Sequence, residues 1–221
     1  MDIEEMVVEK ILFNHPTGIF DYSTLMVLLK DYKKPRDKLT LLMQNKDLIR
    51  IKKGLYVVGD FYRKQPISKE VLANLIYGPS YISLEYALSY WGLIPEKVET
   101  ITCVTPQKNK DYQTQLGCFS YQYLQLEKYQ VGITRETLGD DTSAFFIANR
   151  EKALSDYLYV HRVSFENWEQ LLGYLIESMR IELSDLKNLS IQELELIQSS
   201  YKNKTVAQLY QLILNLKVNY E

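Results

Sequence analysis

Residues 48–58 read LIRIKKGLYVV, and how this stretch is taken decides the fold of everything before it. Ile49 and Ile51 alternate with Arg50 and Lys52, Lys53-Gly54 forms a tight-turn pair, and Leu55–Val58 resumes as an apolar, β-rich run. Alternation, a glycine turn and a second extended run are the pattern of a β-hairpin. Standing alone, it is a surface ribbon with basic residues at its tip.

Its neighbours upstream give it a role. Residues 3–14 (IEEMVVEKILFN) bring Ile3, Met6, Val7, Lys10 and Ile11 near one helical face, and the segment stops before Pro16 and Gly18. Asp21 or Ser23 can cap a second helix that carries Leu25, Leu28 and Leu29 and runs through about Asp31. Pro35 suits the first turn of a third helix, extending through about Lys46. Leu39, Leu42 and Met43 then face the core, and Asp37, Lys38, Thr40, Leu41, Gln44 and Asn45 fall on the opposite face. Helix, helix, helix and hairpin in about sixty residues outline a winged helix-turn-helix.

Charge is distributed to match. The whole chain of 221 residues has a formal net charge of −2. Residues 1–66 carry 12 Lys/Arg against 9 Asp/Glu, and residues 67–221 carry 14 against 19. The excess is sharpest in residues 30–64, with 11 basic and 4 acidic residues. One positive face on a weakly acidic protein is the footprint of a polyanion-binding site, although a solvated lysine-rich surface has the same composition. Lys33, Lys34, Arg36 and Lys38 gather at the start of the third helix, the end that enters the major groove in helix-turn-helix proteins. Lys38, Thr40, Gln44 and Asn45 are placed to choose bases, since Gln and Asn suit adenine. Lys52 and Lys53 at the hairpin tip are placed to neutralise phosphates or to approach the minor groove. The partner expected from these residues is double-stranded DNA.

Beyond residue 66 the pattern is α+β. The segment 60–68 (DFYRKQPIS) reads as a linker, followed by a helix over Lys69–Tyr77 and a break at Gly78-Pro79. A helix capped by Ser83 ends at Gly92, and strands are expected over Val98–Thr105, Gly117–Leu124 and Ala144–Ala148. The polar stretch between the first two strands reads as a loop that can include part of a strand. From Asn149 onward the chain reads as helices, roughly 149–161, 165–178, 182–187, 190–200 and 204–219. The expected fold class is therefore α+β: a winged helix-turn-helix domain over 1–65, then an α+β domain over 66–221 ending in a helical tail.

Catalytic chemistry finds little footing. His15 and His161 are the two histidines, and neither has a histidine partner at metal-ligand spacing. Phosphate-loop and dinucleotide-binding glycine motifs are missing. So are Glu-x-Lys and Asp-x-Asp; Asp-x-Lys occurs at Asp31–Lys33 and Asp185–Lys187, both read as helix ends, and Asp140-Asp141 reads as a turn. The expectation is a non-enzyme without metal or other cofactor. Cys103 and Cys118 are too few for a disulfide framework and read as reduced, packed thiols. No run of eighteen apolar residues suggests a membrane span, and the acidic, amphipathic N-terminus is unlike a secretory signal, so a cytoplasmic location is expected. The 18 tyrosines cluster in 77–91 and 121–129; Tyr81, Tyr86, Tyr90 and Trp91 suit either a core or a contact surface.

Four segments in series carry a resemblance: LIRIKKGLYVV, PSYISLEYALSYWGLIPE, TITCVTPQKNKDYQTQLGCFSYQYL and FFIANREKALSDYLY. In order and spacing they resemble the AbiEi-type antitoxins, transcriptional regulators of abortive-infection (type IV) toxin–antitoxin systems. The resemblance covers roughly residues 5–160. It implies a winged helix that represses its own operon and a C-terminal domain that opposes a nucleotidyltransferase-like toxin, with no catalytic residues to transfer. Arg50, Lys52, Lys53, Gly54 and Tyr56 match the family's wing pattern, and the resemblance implies a DNA-binding role for them, Arg50 included. Asn149-Arg150 stands where relatives often carry a polar–Pro pair, while the Glu151-Lys152-Ala153 register is kept. That segment reads as structural, with Ala153, Leu154 and Leu158 buried. Two further readings are a solitary transcriptional regulator and a protein-interaction adaptor working through the Tyr-rich second unit.

Overall fold

The computed structural model describes residue 8, residues 17–63, 65–137 and 143–218. The first expected helix (apart from Val8, which is buried), His15 and the Asp140-Asp141 turn lie outside the described residues. The chain is a mixed α+β protein with a helical C-terminal tail.

Its N-terminal part centres on a three-stranded antiparallel sheet in the order β1-β3-β2, with β1 at Ile19–Asp21, β2 at Leu48–Lys52 and β3 at Leu55–Val58. The hairpin at residues 48–58 forms as its sequence predicts. Gly54 turns it with φ +86°, a left-handed conformation that costs glycine little. Strand β1, only three residues long, has no period to read in the sequence, and it explains why β3 is apolar throughout. β3 is the middle strand, flanked by β1 through Ile19–Val57 and by β2 through Ile49–Val57, and all four of its residues are buried.

Two helices bridge β1 and β2. Helix α1 (Tyr22–Leu28) starts at Asp21, whose carboxylate accepts the Thr24 backbone N–H at 2.6 Å. It ends three residues before the expected Asp31. Helix α2 (Pro35–Gln44) begins on Pro35 and buries Leu39 and Leu42, with Met43 packed at the edge of the core. The segment after β3 is anchored rather than a free linker. Asp60–Tyr62 forms a short 3-10 turn, Arg63 donates from Nε to the Val58 carbonyl at 2.9 Å, and Ile67 is buried.

The second part is built on a six-stranded mixed sheet in the order β6-β7-β5-β4-β9-β8. Its strands are β4 (Tyr81–Ile82), β5 (Ile101–Thr105), β6 (Lys110–Thr114), β7 (Gly117–Tyr123), β8 (Ile133–Thr137) and β9 (Ala144–Ala148). The polar loop at 106–116 thus contains edge strand β6, and the opposite edge strand β8 was missed by sequence periodicity. Helix α3 (Lys69–Ile76) is capped by Ser68, whose hydroxyl accepts the Val71 N–H at 3.1 Å, and it packs on β4, β5 and β9. Helix α4 (Leu84–Tyr90) packs on β5. A four-residue helix, α5 (Leu126–Tyr129), follows β7. Helix α6 (Arg150–Val160) packs against α4 and the helical tail. The tail comprises α7 (Trp168–Gly173) with a π-turn at Tyr174–Ser178, α8 (Leu183–Asn188), α9 (Ile191–Tyr201) and α10 (Lys204–Val218). No helix among the described residues is long and apolar enough to cross a membrane.

The thiols separate: Cys103 lies in the sheet interior, where burial pushes its pKa up, whereas Cys118 is exposed on β7. The expectation of two packed thiols therefore holds for Cys103 alone. The tyrosine clusters divide similarly. Tyr81 and Tyr121 are core, Tyr86 and Trp91 are half-buried, and Tyr90 and Tyr123 are exposed.

Candidate nucleic-acid interface

Helix α2 presents its charged residues where its amphipathic spacing puts them. Leu39 and Leu42 turn inward, leaving Arg36, Thr40, Gln44 and Asn45 exposed along the outer side. Lys33 and Lys34 lie exposed just ahead of the helix, and Lys34 pairs loosely with Asp37 at 3.7 Å. That pair is so exposed that it contributes little to stability. The Thr40 hydroxyl bonds back to the Arg36 carbonyl at 3.0 Å, within its own helix. Asn45 is the residue that ends the helix, and Leu41 is an exposed apolar group on the same face. Lys38 is half-buried with its ammonium 5.6 Å from the centre of the Tyr32 ring. The first turn also offers free backbone N–H groups, so basic side chains and the helix dipole act together on an anion there.

On the hairpin the three basic residues part company. Lys53 is exposed at the turn. Arg50 is exposed on β2 and its Nε donates to the Lys52 carbonyl at 3.4 Å. Lys52 is half-buried, and its ammonium donates to the carbonyl of Ile76 at the end of α3. The strand register shifts between Arg50 and Lys52, a β-bulge that breaks the simple alternation read from the sequence. A lysine at a helix C-terminus is well placed for the negative end of the dipole. Lys52 therefore fastens the hairpin tip to the second part of the molecule. The sequence signal for this contact was weak, since Lys52 and Ile76 are 24 residues apart and nothing local joins them.

A second charged cluster is buried in the interior of the second part. Lys152 and Asp156 lie one helical turn apart on α6, both without solvent exposure, with Nζ 3.1 Å from Oδ1. The Lys152 ammonium also donates to the Lys128 carbonyl and to the Tyr201 hydroxyl. The Asp156 carboxylate accepts from the Tyr201 hydroxyl, from Tyr81 at 2.9 Å and from Ser83 at 2.7 Å. Ser83 thus sits at the N-cap of α4 as expected, but its hydroxyl serves Asp156 rather than the helix. Burial pulls the Lys152 pKa down against the pull of Asp156, and burial with the adjacent carboxylate pushes Tyr81 and Tyr201 well up. Every ammonium proton has an acceptor, and both carboxylate oxygens have donors. Closed to solvent and fully satisfied, the cluster joins β4, α5, α6 and α9. It is a structural joint, and it gives the Glu151-Lys152-Ala153 segment the structural role read from sequence.

His161 ends α6, with Nε2 2.8 Å from Glu85 Oε1 on α4. Among the described residues no group of three or more His, Cys, Asp or Glu side chains is arranged to hold a metal ion. Compared with protein-family models and with curated protein sequences, the chain matches none.

Proposed function

We propose that this protein is a DNA-binding transcriptional autorepressor whose N-terminal part is a winged helix-turn-helix, and that it serves as the antitoxin of a type IV toxin–antitoxin pair. The observation that carries the DNA reading is the joint placement of α2 and the β2–β3 hairpin. A Pro-started helix with exposed Lys33, Lys34 and Arg36 at its N-terminus is followed directly by a hairpin tipped with Lys53, on a sheet ordered β1-β3-β2. Helix-turn-helix proteins use those two features for the major groove and the flanking backbone. In this reading Thr40, Gln44 and Asn45 face base edges, while Lys33, Lys34, Arg36, Arg50 and Lys53 hold phosphates. Lys52, committed to Ile76, sets the angle of the wing and adds charge to it. The antitoxin role rests on the resemblance of the four sequence segments, with a nucleotidyltransferase-like toxin as the functional partner.

The test is fluorescence anisotropy with a labelled duplex taken from the region upstream of the protein's own reading frame. Binding that weakens steeply with salt, and falls at least tenfold at 0.1 M salt when Arg36 and Lys53 are both changed to Glu, is the expected outcome. Failure of the wild-type protein to bind that duplex at 50 mM salt overturns the DNA reading. For the antitoxin role, co-expression with the product of the adjacent reading frame restores growth that this product alone arrests. A neighbour that is harmless alone removes the antitoxin role and leaves a solitary regulator.

A further inference from the structure

We infer that the second part of the molecule holds a binding site for a small aromatic carboxylic acid, in a cavity on the sheet face formed by β4, β9 and β8. The site is independent of the proposed DNA surface. Strand register builds its floor. Arg135 on β8 lies directly opposite Phe146 on β9, so the two side chains share a face, and Ile133 joins them two residues away. Ile82 pairs with Ile147 in parallel, which puts Tyr81 on the Phe146 face as well. β4 begins only at Tyr81, whereas β9 reaches back to Ala144, and the unequal lengths leave room beside Phe146. Tyr129 of α5 closes one side, its ring centre 5.0 Å from that of Tyr81. The result is a cavity of about 400 Å³ lined by these residues and Ser80, a volume in the range of small-molecule sites.

The chemistry of the lining selects the ligand. Ser80 is only 6% exposed, yet its buried hydroxyl has no hydrogen-bond partner among the described residues. An unpaired buried hydroxyl is costly, and a polar ligand atom that reaches it removes the cost. The exposed side chain of Arg135 enters no hydrogen bond or ion pair among the described residues. Its planar fork matches a carboxylate through two parallel hydrogen bonds. The lining contains no Asp or Glu, and Glu136, next along β8, pairs with Phe145 and so points to the opposite face. One guanidinium balances one carboxylate, whereas a phosphate dianion is only half compensated in this apolar setting. The remaining walls are aromatic: Tyr129, the half-exposed Phe146, and Tyr81, whose hydroxyl is committed to Asp156 so that its ring alone is on offer. The ligand carboxylate thus pairs with Arg135 at the mouth, and a polar atom on its ring reaches Ser80. Asn74 holds the floor in place, accepting the Phe146 N–H at 2.6 Å and donating to the Ser80 carbonyl at 3.5 Å, which lowers the ordering cost of binding.

The probes are indole-3-acetate and 4-hydroxybenzoate, with indole-3-acetamide as the uncharged counterpart, and binding to the 221-residue chain is followed by saturation-transfer NMR. The acids are expected to bind with a Kd of about 1 mM or tighter, as suits ligands of this size, and the amide at least tenfold more weakly than indole-3-acetate. R135Q, at an exposed residue whose side chain has no partner among the described residues, is expected to weaken both acids at least tenfold and to leave the amide unchanged. S80A is expected to weaken indole-3-acetate and its amide alike, by about three- to tenfold, without lowering the melting temperature, because the hydroxyl it removes has no partner to lose. No saturation transfer to either acid at about 5 mM overturns the site, as does binding that R135Q and S80A both leave unchanged. Equal affinity for indole-3-acetate and its amide overturns the assignment of a carboxylate. Tighter binding of adenosine monophosphate than of either acid, lost in R135Q, overturns the ligand class.

Discussion

Lys152 is a fully buried ammonium at the centre of a polar cluster in the second part. An ammonium removed from water is tolerable only with an ionic partner and complete hydrogen bonding, and Asp156, Tyr201 and the Lys128 carbonyl provide both. Lys152→Ala leaves the Asp156 carboxylate buried without its counter-charge. It is expected to cost about 3–5 kcal/mol in urea unfolding, the usual penalty for breaking a buried pair. Gly132 lies against the same residue: its φ is +69°, and a Cβ there would meet the Lys152 Cβ at 2.7 Å. Gly132→Ala is therefore expected to lower the melting temperature by combining left-handed strain with a backbone-anchored clash, together about 2 kcal/mol or more. The His161–Glu85 pair depends on pH instead. The hydrogen bond to Glu85 raises the His161 pKa against partial burial, whereas for Glu85 partial burial is outweighed by the hydrogen bond from His161 and the net shift is downward. The histidine contribution is complete below its unfolded value near 6.5 and is lost as pH rises through the raised folded value. The glutamate contribution is complete above about 4.5 and is lost as pH falls through the lowered folded value. His161→Gln is thus expected to cost more at pH 5.5 than at pH 8.5, by only about 0.5 kcal/mol because the pair is partly exposed and screened. Equal costs at both values would remove the charge from the explanation.

At the scale of elements, the short strand β4 creates a problem that α3 solves. Only Tyr81 and Ile82 pair in β4, so β9 loses its strand neighbour next to Phe146. The side chain of Asn74 takes that place, accepting the Phe146 N–H at 2.6 Å and donating to the Phe146 carbonyl at 3.4 Å. One amide thus stands in for a missing residue of strand. Asn74→Ala is expected to destabilise the protein by about 1–3 kcal/mol and to increase hydrogen exchange at Phe146 above that at Ile147. Exchange that stays level at the two residues would show that Asn74 does not complete the strand. Elements with strong local signals are legible: the hairpin at 48–58, α2 from Pro35, α3 from Lys69, and α6 from Asn149, whose side chain accepts the Lys152 N–H at 2.8 Å. β1 and β8 are not, because a three-residue strand has no period to read and β8 mixes Arg135 and Glu136 with Ile133. Their strand character comes from the partners they meet.

For the whole molecule, the question is how the two parts cohere. Buried residues from β1–β3 and from the six-stranded sheet belong to one continuous core, which includes Ile67 between β3 and α3 in the chain. Ile67 fills the space over Gly18 beside Val58, and Lys52 ties the hairpin tip to the end of α3. Both tryptophans, Trp91 and Trp168, lie in the second part, so their fluorescence reports on that part while circular dichroism reports on the whole. The two signals are expected to give the same urea midpoint in the wild type. Ile67→Asp, which puts a charge into that core, is expected to separate them. Separate midpoints already in the wild type would mean that the parts unfold independently.

The amino-acid sequence by itself determined the local elements: caps, a proline-started helix, an alternating hairpin and the inward face of each long helix. These depend on neighbours within a few residues, where side-chain period and backbone preference act directly. It also marked Lys33, Lys34, Arg36, Lys38, Thr40, Gln44, Asn45, Arg50, Lys52 and Lys53 as one candidate surface. Only the tertiary structure decided that Lys52 turns inward to Ile76, that Lys110 stands over the Tyr77 ring, and that Lys152 and Asp156 are core residues. A charged side chain carries no local signature of its destination. Whether it meets solvent, a phosphate or a buried carboxylate depends on which distant segment folds against it, and that free energy is settled only when the chain is assembled.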